Sequence, residues 1–400
     1  MPGVSADGGA RDDAWVCGVD SGGSGLRVAI ARAADGTEAD SLRCAEPVRT
    51  GPAGIDAGHL LAQLLPAVRT LLGRTAGGAP ELAALAVGAA GMATLGGELR
   101  TVLPGALASA FGLRRIALAA DAVTAYAGAL GQRPGVVVAA GTGMIALGAD
   151  PGAAPGTGPG GSSGGREPGS GTDPGSGAES GNGTDPGSRA EPGSGTDPGS
   201  RTEPGGPSGR PVSGWRRADG WGHLLGDCGG GAWIGRAGLE AALREFDGRG
   251  GGSPALLARL EAVFGPPAGL PALLYPRTDR AAVLASFAPE VGRCAEDDPV
   301  SAGILRSAAR AVAETAAAVC PPVDGCPVAL AGGLFRMGEP LLAPLREELA
   351  AVLPAARPEQ AAGGPLEGAL CIASALATGR LRLPVDGRML HLPDAAPSQG

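Results

Sequence analysis

Between residues 150 and 210 the chain carries an acid at every sixth position: Glu167, Asp173, Glu179, Asp185, Glu191, Asp197 and Glu203, mostly as acid-Pro-Gly-Ser. The rest of this segment is Gly, Pro, Ser and Thr with almost nothing apolar. A six-residue period would suit a β-solenoid. Each solenoid coil, however, needs an apolar side chain to fill its interior, and these repeats offer none. The composition therefore predicts a disordered insertion over 150–210. It leaves the apolar material in two stretches, 14–149 and 211–392, which must supply the core.

Both stretches read as strands alternating with helices. Trp15 to Gly18 is a short apolar strand, followed by the turn Asp20-Ser21-Gly22-Gly23-Ser24-Gly25 and a second strand, Leu26 to Ala31. Two strands this close form a hairpin. Leu60, Leu61, Leu64, Leu65, Val68, Leu71 and Leu72 form one helical stripe. Ile116 to Ala119 is a buried strand and Ala122 to Leu130 a helix. Val136 to Ala139 and Met144 to Leu147 are strands about the turn Gly141-Thr142-Gly143. After the insertion the pattern predicts a strand near Val212 to Arg216 and helices over 232–246, 281–296, 299–319, 338–352 and 366–379. The strand Val328 to Ala331 ends at Gly332-Gly333. Hairpins first and helices after, twice over, predict two α/β lobes with a cleft between them.

Composition excludes several chemistries. The 32 basic residues are all Arg. Without Lys there is no P-loop nucleotide site, no Schiff-base enzyme and no protein-kinase strand lysine. A formal net charge of −8 argues against a dedicated nucleic-acid binder. The seven cysteines are odd in number, scattered and without a CxxC pair, so neither a disulfide scaffold nor a zinc ribbon is expected. Residues 1–14 hold acids and no apolar run, and no stretch is long and apolar enough to span a bilayer. The expected compartment is the cytoplasm.

Four places can carry chemistry. In the first turn, glycines let backbone amides point inward as an anion nest, Ser24 adds a hydroxyl, and Asp20 can hold magnesium through water. The turn Gly141-Thr142-Gly143 repeats the pattern, so two hairpins could grip a polyphosphate without any Lys. Asp121, between a strand and a helix, is either an N-cap or a general base at the mouth of a cleft. In Gly220-Trp221-Gly222-His223-Leu224-Leu225-Gly226-Asp227, Trp221 can lend a flat face to a sugar ring while Asp227 accepts from hydroxyls. Alternatively Asp227 simply caps the helix that follows. His223 reads as a structural hydrogen-bonder, because His59 and His391 are isolated from it in sequence.

The runs DSGGSG, AADA, AAGTG, DGWGHLLGD and ALAGGL, in this order and spacing, resemble the N-acetylglucosamine kinase branch of the BadF/BadG/BcrA/BcrD ATPase family, within the superfamily of sugar kinases, heat-shock ATPases and actin. GWGHLLGD followed by AWIGRAGL is the most specific part, and FAPEVGRCAEDDPVSAGIL also looks like the family. The resemblance implies an α/β, two-lobed actin-like ATPase (ribonuclease H-like) fold with an interlobe cleft. Residues 14–130 would form the N-terminal lobe, 131–149 with 211–365 the C-terminal lobe, and 366–380 a helix packing back on the N-terminal lobe.

On the same resemblance, Gly22, Gly23 and Ser24 would hold the β- and γ-phosphates of ATP, with Asp20 near Mg²⁺. Gly141, Thr142 and Gly143 would hold phosphate from the other lobe, and Gly332 and Gly333 would line the nucleoside. Asp121 would be the catalytic base, and Gly220, Trp221, Gly222 and Asp227 would contact the sugar. The expected partners are a small-molecule amino sugar and a second copy in a homodimer, with no nucleic acid and no membrane. The expected reaction is ATP-dependent phosphorylation of N-acetylglucosamine at its 6-hydroxyl. Two alternatives stand beside it: an ATPase that activates a partner dehydratase, and a non-catalytic sugar sensor. Two positions depart from the family: Gly54 stands where an Asn usually contacts the sugar, and Cys228 where an acid usually follows the Asp of GD.

Overall fold

A computed structural model describes residues 14–22, 25–34, 36–51, 54–75, 81–152 and 214–393. These residues belong to one compact unit. The acidic repeat, and with it Val212, lies outside them, as do Gly23 and Ser24.

In chain order the strands are β1 (Trp15–Gly22), β2 (Gly25–Arg32), β3 (Glu38–Cys44), the short pair β4 (Thr50–Gly51) and β5 (Gly54–Ile55), β6 (Leu82–Ala89), β7 (Ile116–Ala120), β8 (Gly135–Ala140), β9 (Met144–Ala149), β10 (Trp215–Asp219), β11 (Pro327–Ala331), β12 (Arg357–Gln360) and β13 (Leu390–His391). The principal helices are α1 (Ala57–Arg74), α2 (Gly97–Phe111), α3 (Asp121–Leu130), α4 (Gly231–Phe246), α5 (Pro299–Val319), α6 (Glu339–Val352) and α7 (Pro365–Ala377). The helix expected over 281–296 is broken at Phe287 into Arg280–Ser286 and Ala288–Cys294. Pro289 sits in the first turn of the second piece, where a missing N–H is tolerated. Among the described residues no helix is long and apolar enough to cross a membrane.

Two sheets repeat one plan. The first runs β13-β7-β6-β1-β2-β3 and the second β10-β9-β8-β11-β12. In each, three antiparallel strands in sequence are extended by parallel strands on the side of the first: β1 pairs with β6, and β6 with β7; β8 pairs with β11, and β11 with β12. The fold is thus a two-sheet α/β architecture.

The inner strands β8 and β9 of the second sheet are buried on both faces, which explains their nearly continuous apolar sequence. Along β8, Val136, Val138 and Ala140 enter one core cluster while Val137 enters the other. On β9, Met144 and Ala146 alternate in the same way with Leu147 and Ala149. Strand period two therefore distributes the side chains between two cores.

Helix α7 packs against β1 and α3 by backbone approach. A Cβ on Gly18 would stand 2.8 Å from the Leu370 nitrogen, and one on Gly368 only 1.8 Å from the Thr124 carbonyl oxygen. Asp298, the N-cap of α5, accepts from the hydroxyls of Ser253 and Ser301 and from the Ser301 amide. Burial would raise its pKa, but these bonds outweigh it and hold the carboxyl below its ordinary value.

Candidate active site

β7 ends at Ala120 and α3 begins at Asp121. This is the C-terminal edge of a parallel strand, where open α/β sheets place their sites. The N-cap of α3 is Ala120 and lacks a side-chain cap bond, so the capping reading of Asp121 does not hold. Asp121 instead accepts from its neighbour, the Ala122 amide, at 2.9 Å, and its side chain opens into a cavity of about 640 Å³. Burial among the surrounding protein atoms is the largest influence on it and pushes the carboxyl above its ordinary value. The charge of Asp20 acts in the same direction, while the Ala122 amide and Arg217 oppose both.

The cavity walls bring together residues from four distant parts of the chain. Asp121, Gly141, Gly143, Gly220, Trp221, Gly222, Asp227 and Gly332 line it. Asp20, Gly22, Thr142 and Gly333 do not, and Gly23 and Ser24 lie outside the described residues. Asp20 is buried on β1, directly opposite Arg27 on β2, whose Nε and Nη2 donate to Oδ2 at 3.0 and 2.5 Å.

The turn after β8 is held against the N-terminus of α4. The Gly231 and Ala232 amides donate to the Gly141 and Thr142 carbonyls at 2.9 and 2.8 Å, and the Gly141 amide closes the turn on the Gly143 carbonyl. Glycine is required here. A Cβ on Gly231 would meet the Gly141 oxygen at 2.5 Å, and one on Gly143 would meet Oδ2 of Asp227 at 2.3 Å. Thr142 is left exposed at the turn.

The loop from Asp219 to Asp227 is the most strained part of the described structure. Asp219 (φ 57°) and Asp227 (φ 56°) are its two non-glycine residues with left-handed backbone, and among the described residues there are no others. Such strain persists only where surrounding bonds over-determine it. The Asp219 carboxylate accepts from the Asp227 and Cys228 amides at 2.6 and 3.0 Å, and Asp227 accepts from the Gly222 amide at 3.0 Å. Asp227 does not cap α4, whose N-cap is Gly230. Burial raises its pKa above the ordinary value, opposed first by the Gly222 amide. Arg217 donates to the carbonyls of Asp219 and Gly220, lies 5.0 Å over the Trp221 ring and lines the cavity.

Sequence inspection passed over Arg217 and Asp219. A charged residue inside the strand WRRAD and the Asp-Gly step after it were the available signals. Gly54 is also explained: its φ is 102°, and a Cβ there would stand 2.6 Å from the Leu95 carbonyl oxygen, so the backbone leaves no room for an Asn.

Comparisons with known proteins bear on this site. Among curated proteins none matches the chain. Among solved structures, a candidate N-acetylglucosamine kinase from Chromobacterium violaceum aligns over 92% of this chain and 99% of its own, with 25% identity and a TM-score of 0.56. A candidate N-acetylglucosamine kinase from Porphyromonas gingivalis aligns over 90% and 98%, with 16% identity and a TM-score of 0.54, which shows a shared fold. So does a ROK family transcriptional regulator, a homolog of the E. coli MLC protein, over 92% and 80%, with 14% identity and a TM-score of 0.51. Residues 214–372, which contain the strained loop, α4 and the Gly332 turn, match the family model described as the BadF/BadG/BcrA/BcrD ATPase family.

Proposed function

We propose that this protein is an ATP-dependent sugar kinase that phosphorylates an amino sugar, N-acetylglucosamine, at its 6-hydroxyl, with Asp121 as general base. The observation that carries this proposal is Asp121 itself. It is a carboxylate at a strand end, shifted toward neutrality by burial, and it opens into one cavity with a glycine turn, an exposed Trp and a second carboxylate. The volume suits a sugar and the end of a polyphosphate. The likeness to the Chromobacterium violaceum protein adds support for the substrate class.

The roles follow from the chemistry of each group. Asp121 takes the proton of the attacking hydroxyl, and its raised pKa brings it nearer the pH at which a base works best. Asp227, held by the Gly222 amide, accepts from sugar hydroxyls, and Trp221 covers the ring face. Gly141, Thr142 and Gly143 approach the phosphates from one side and Gly22, with Gly23 and Ser24, from the other. Gly332 and Gly333 border the nucleoside. Residues 14–130 and 131–149 with 211–365 act as the two lobes of this grip, in a protein expected to be a homodimer.

Magnesium in such sites keeps several waters and leans on phosphate oxygens plus one or two carboxylates. Asp20, whose Oδ2 accepts from Arg27, would supply such a carboxylate and hold the ion through water. When bound, the ion would neutralise charge on the phosphates. An ATP-consumption screen of the purified protein against N-acetylglucosamine, N-acetylmannosamine, glucosamine and glucose tests the proposal. Saturable turnover highest with N-acetylglucosamine is expected; ADP release that no sugar accelerates overturns it.

A further inference from the structure

Away from the cleft, a second cavity of about 340 Å³ is lined by Cys320, Val323, Cys326 and Leu353. Cys320 ends α5 and Cys326 precedes β11, with Pro-Pro-Val-Asp-Gly between them. The linking turn is defined: the Val323 amide donates to the Pro321 carbonyl, the Cys326 amide to the Val323 carbonyl, and Gly325 takes φ 63°. The Arg357 amide donates to the Cys326 carbonyl and pins the far side. Both thiols are free, and both residues line the one cavity. Cys320 is half-buried, whereas Cys326 is only 2% exposed. Nothing in the cleft chemistry uses either of them.

We infer that Cys320 and Cys326 form an oxidisable dithiol, which closes to a reversible intramolecular disulfide in exchange with a small-molecule disulfide. The more accessible Cys320 thiolate attacks one sulfur of the reagent and expels the other half as a thiol. Cys326 then loses its proton, attacks Sγ of Cys320, and releases the second thiol. The protein loses two hydrogens, and the reagent is reduced to two thiols. Burial, and then the neighbouring Cys320 thiol, push the Cys326 thiol up to about 12, which makes this closing step the slow one. Two prolines and a hydrogen-bonded turn fix the five-residue loop that joins the pair. The bridge ties the end of α5 to the start of β11. The opposite end of β11 reaches Gly332 at the cleft, so the bridge alters stability without touching the reacting groups.

The test uses the full chain, incubated with oxidised glutathione, quenched with N-ethylmaleimide and mapped by peptide mass, with thermal melts in parallel. The expected result is a peptide joining Cys320 to Cys326. The other five cysteines should be alkylated, and Tm should rise by about 4 °C and fall back with dithiothreitol. Cys320→Ser should abolish both changes, and Cys326→Ser should trap glutathione on Cys320. Both thiols alkylated after oxidation, glutathione left on wild-type Cys320 without closure, or an unchanged Tm in the bridged protein would overturn the inference.

Discussion

Replacing Asp121 with Asn separates chemistry from architecture in one atom. Asn keeps an oxygen to accept from the Ala122 amide, so the hydrogen bond at 2.9 Å survives. What it loses is charge and basicity. In the native protein burial, the largest influence, and then the charge of Asp20 disfavour the Asp121 anion. The sign follows directly. A carboxyl whose folded pKa lies above its unfolded value binds its proton more tightly when folded. Stability is then greatest below the unfolded pKa and declines as pH rises through the folded one. Asn carries no such penalty, so the variant should melt at or above the wild-type temperature at pH 7, with the advantage vanishing in acid.

Activity should move the other way. Removing a general base costs roughly 10²–10⁴ in rate, or about 2.7–5.5 kcal/mol of barrier. A coupled ADP-release assay with N-acetylglucosamine gives kcat, and scanning calorimetry from pH 4 to 8 gives Tm. The wild-type kcat/KM should rise with pH through an apparent pKa above the usual carboxylate value of about 3.9. A variant that turns over within tenfold of wild type, or one that melts several degrees lower, would refute the base assignment and make Asp121 a structural residue.

Other expectations are equally direct. Asp219→Ala strips the acceptor from the Asp227 and Cys228 amides; it should cost about 1–3 kcal/mol in urea unfolding and raise the sugar KM. Gly143→Ala drives a methyl into the Asp227 carboxylate, so sugar affinity should fall in calorimetric titration while the far-ultraviolet dichroism stays native. Asp298→Ala removes an N-cap and a buried acceptor; it should destabilise by about 1–3 kcal/mol at neutral pH. Because the native Asp298 pKa is lowered, that difference should shrink as pH falls through the folded pKa. Replacing 152–209 with Gly-Asn should leave the fold intact, because Ala149 and Trp215 are already paired across β9 and β10. If closure entropy grows logarithmically, the shortening should add about 1.7 kcal/mol; loss of folding or of sugar affinity would give the insertion a structural role.

Much of this protein was legible from local pattern alone. The 3.6-residue stripe from Leu60 to Leu72 is the buried face of α1, and Pro299–Val319 appears as a helix with the expected bounds because Asp298, Pro299 and a long apolar stripe mark it locally. Asp121 stood out for the same kind of reason, an acid where an apolar run changes period. Tertiary structure decided what depends on residues far apart in the chain. Repetition of one strand order in both sheets follows from pairings such as β8 with β11, nearly 200 residues apart, about which periodicity says nothing. Arg27 ties up Asp20 only because the hairpin register sets them opposite. In the sequence Gly54 is a departure from the family pattern and Gly143 a turn residue for phosphate; the Leu95 carbonyl and the Asp227 carboxylate pressing on them make them obligatory. Asp219 has no role in the sequence reading, yet the fold makes it the acceptor that holds Asp227 in a left-handed conformation. Local sequence sets which segments can be strand, helix or turn; close packing of backbone on backbone sets which of their side chains meet, and at what distance.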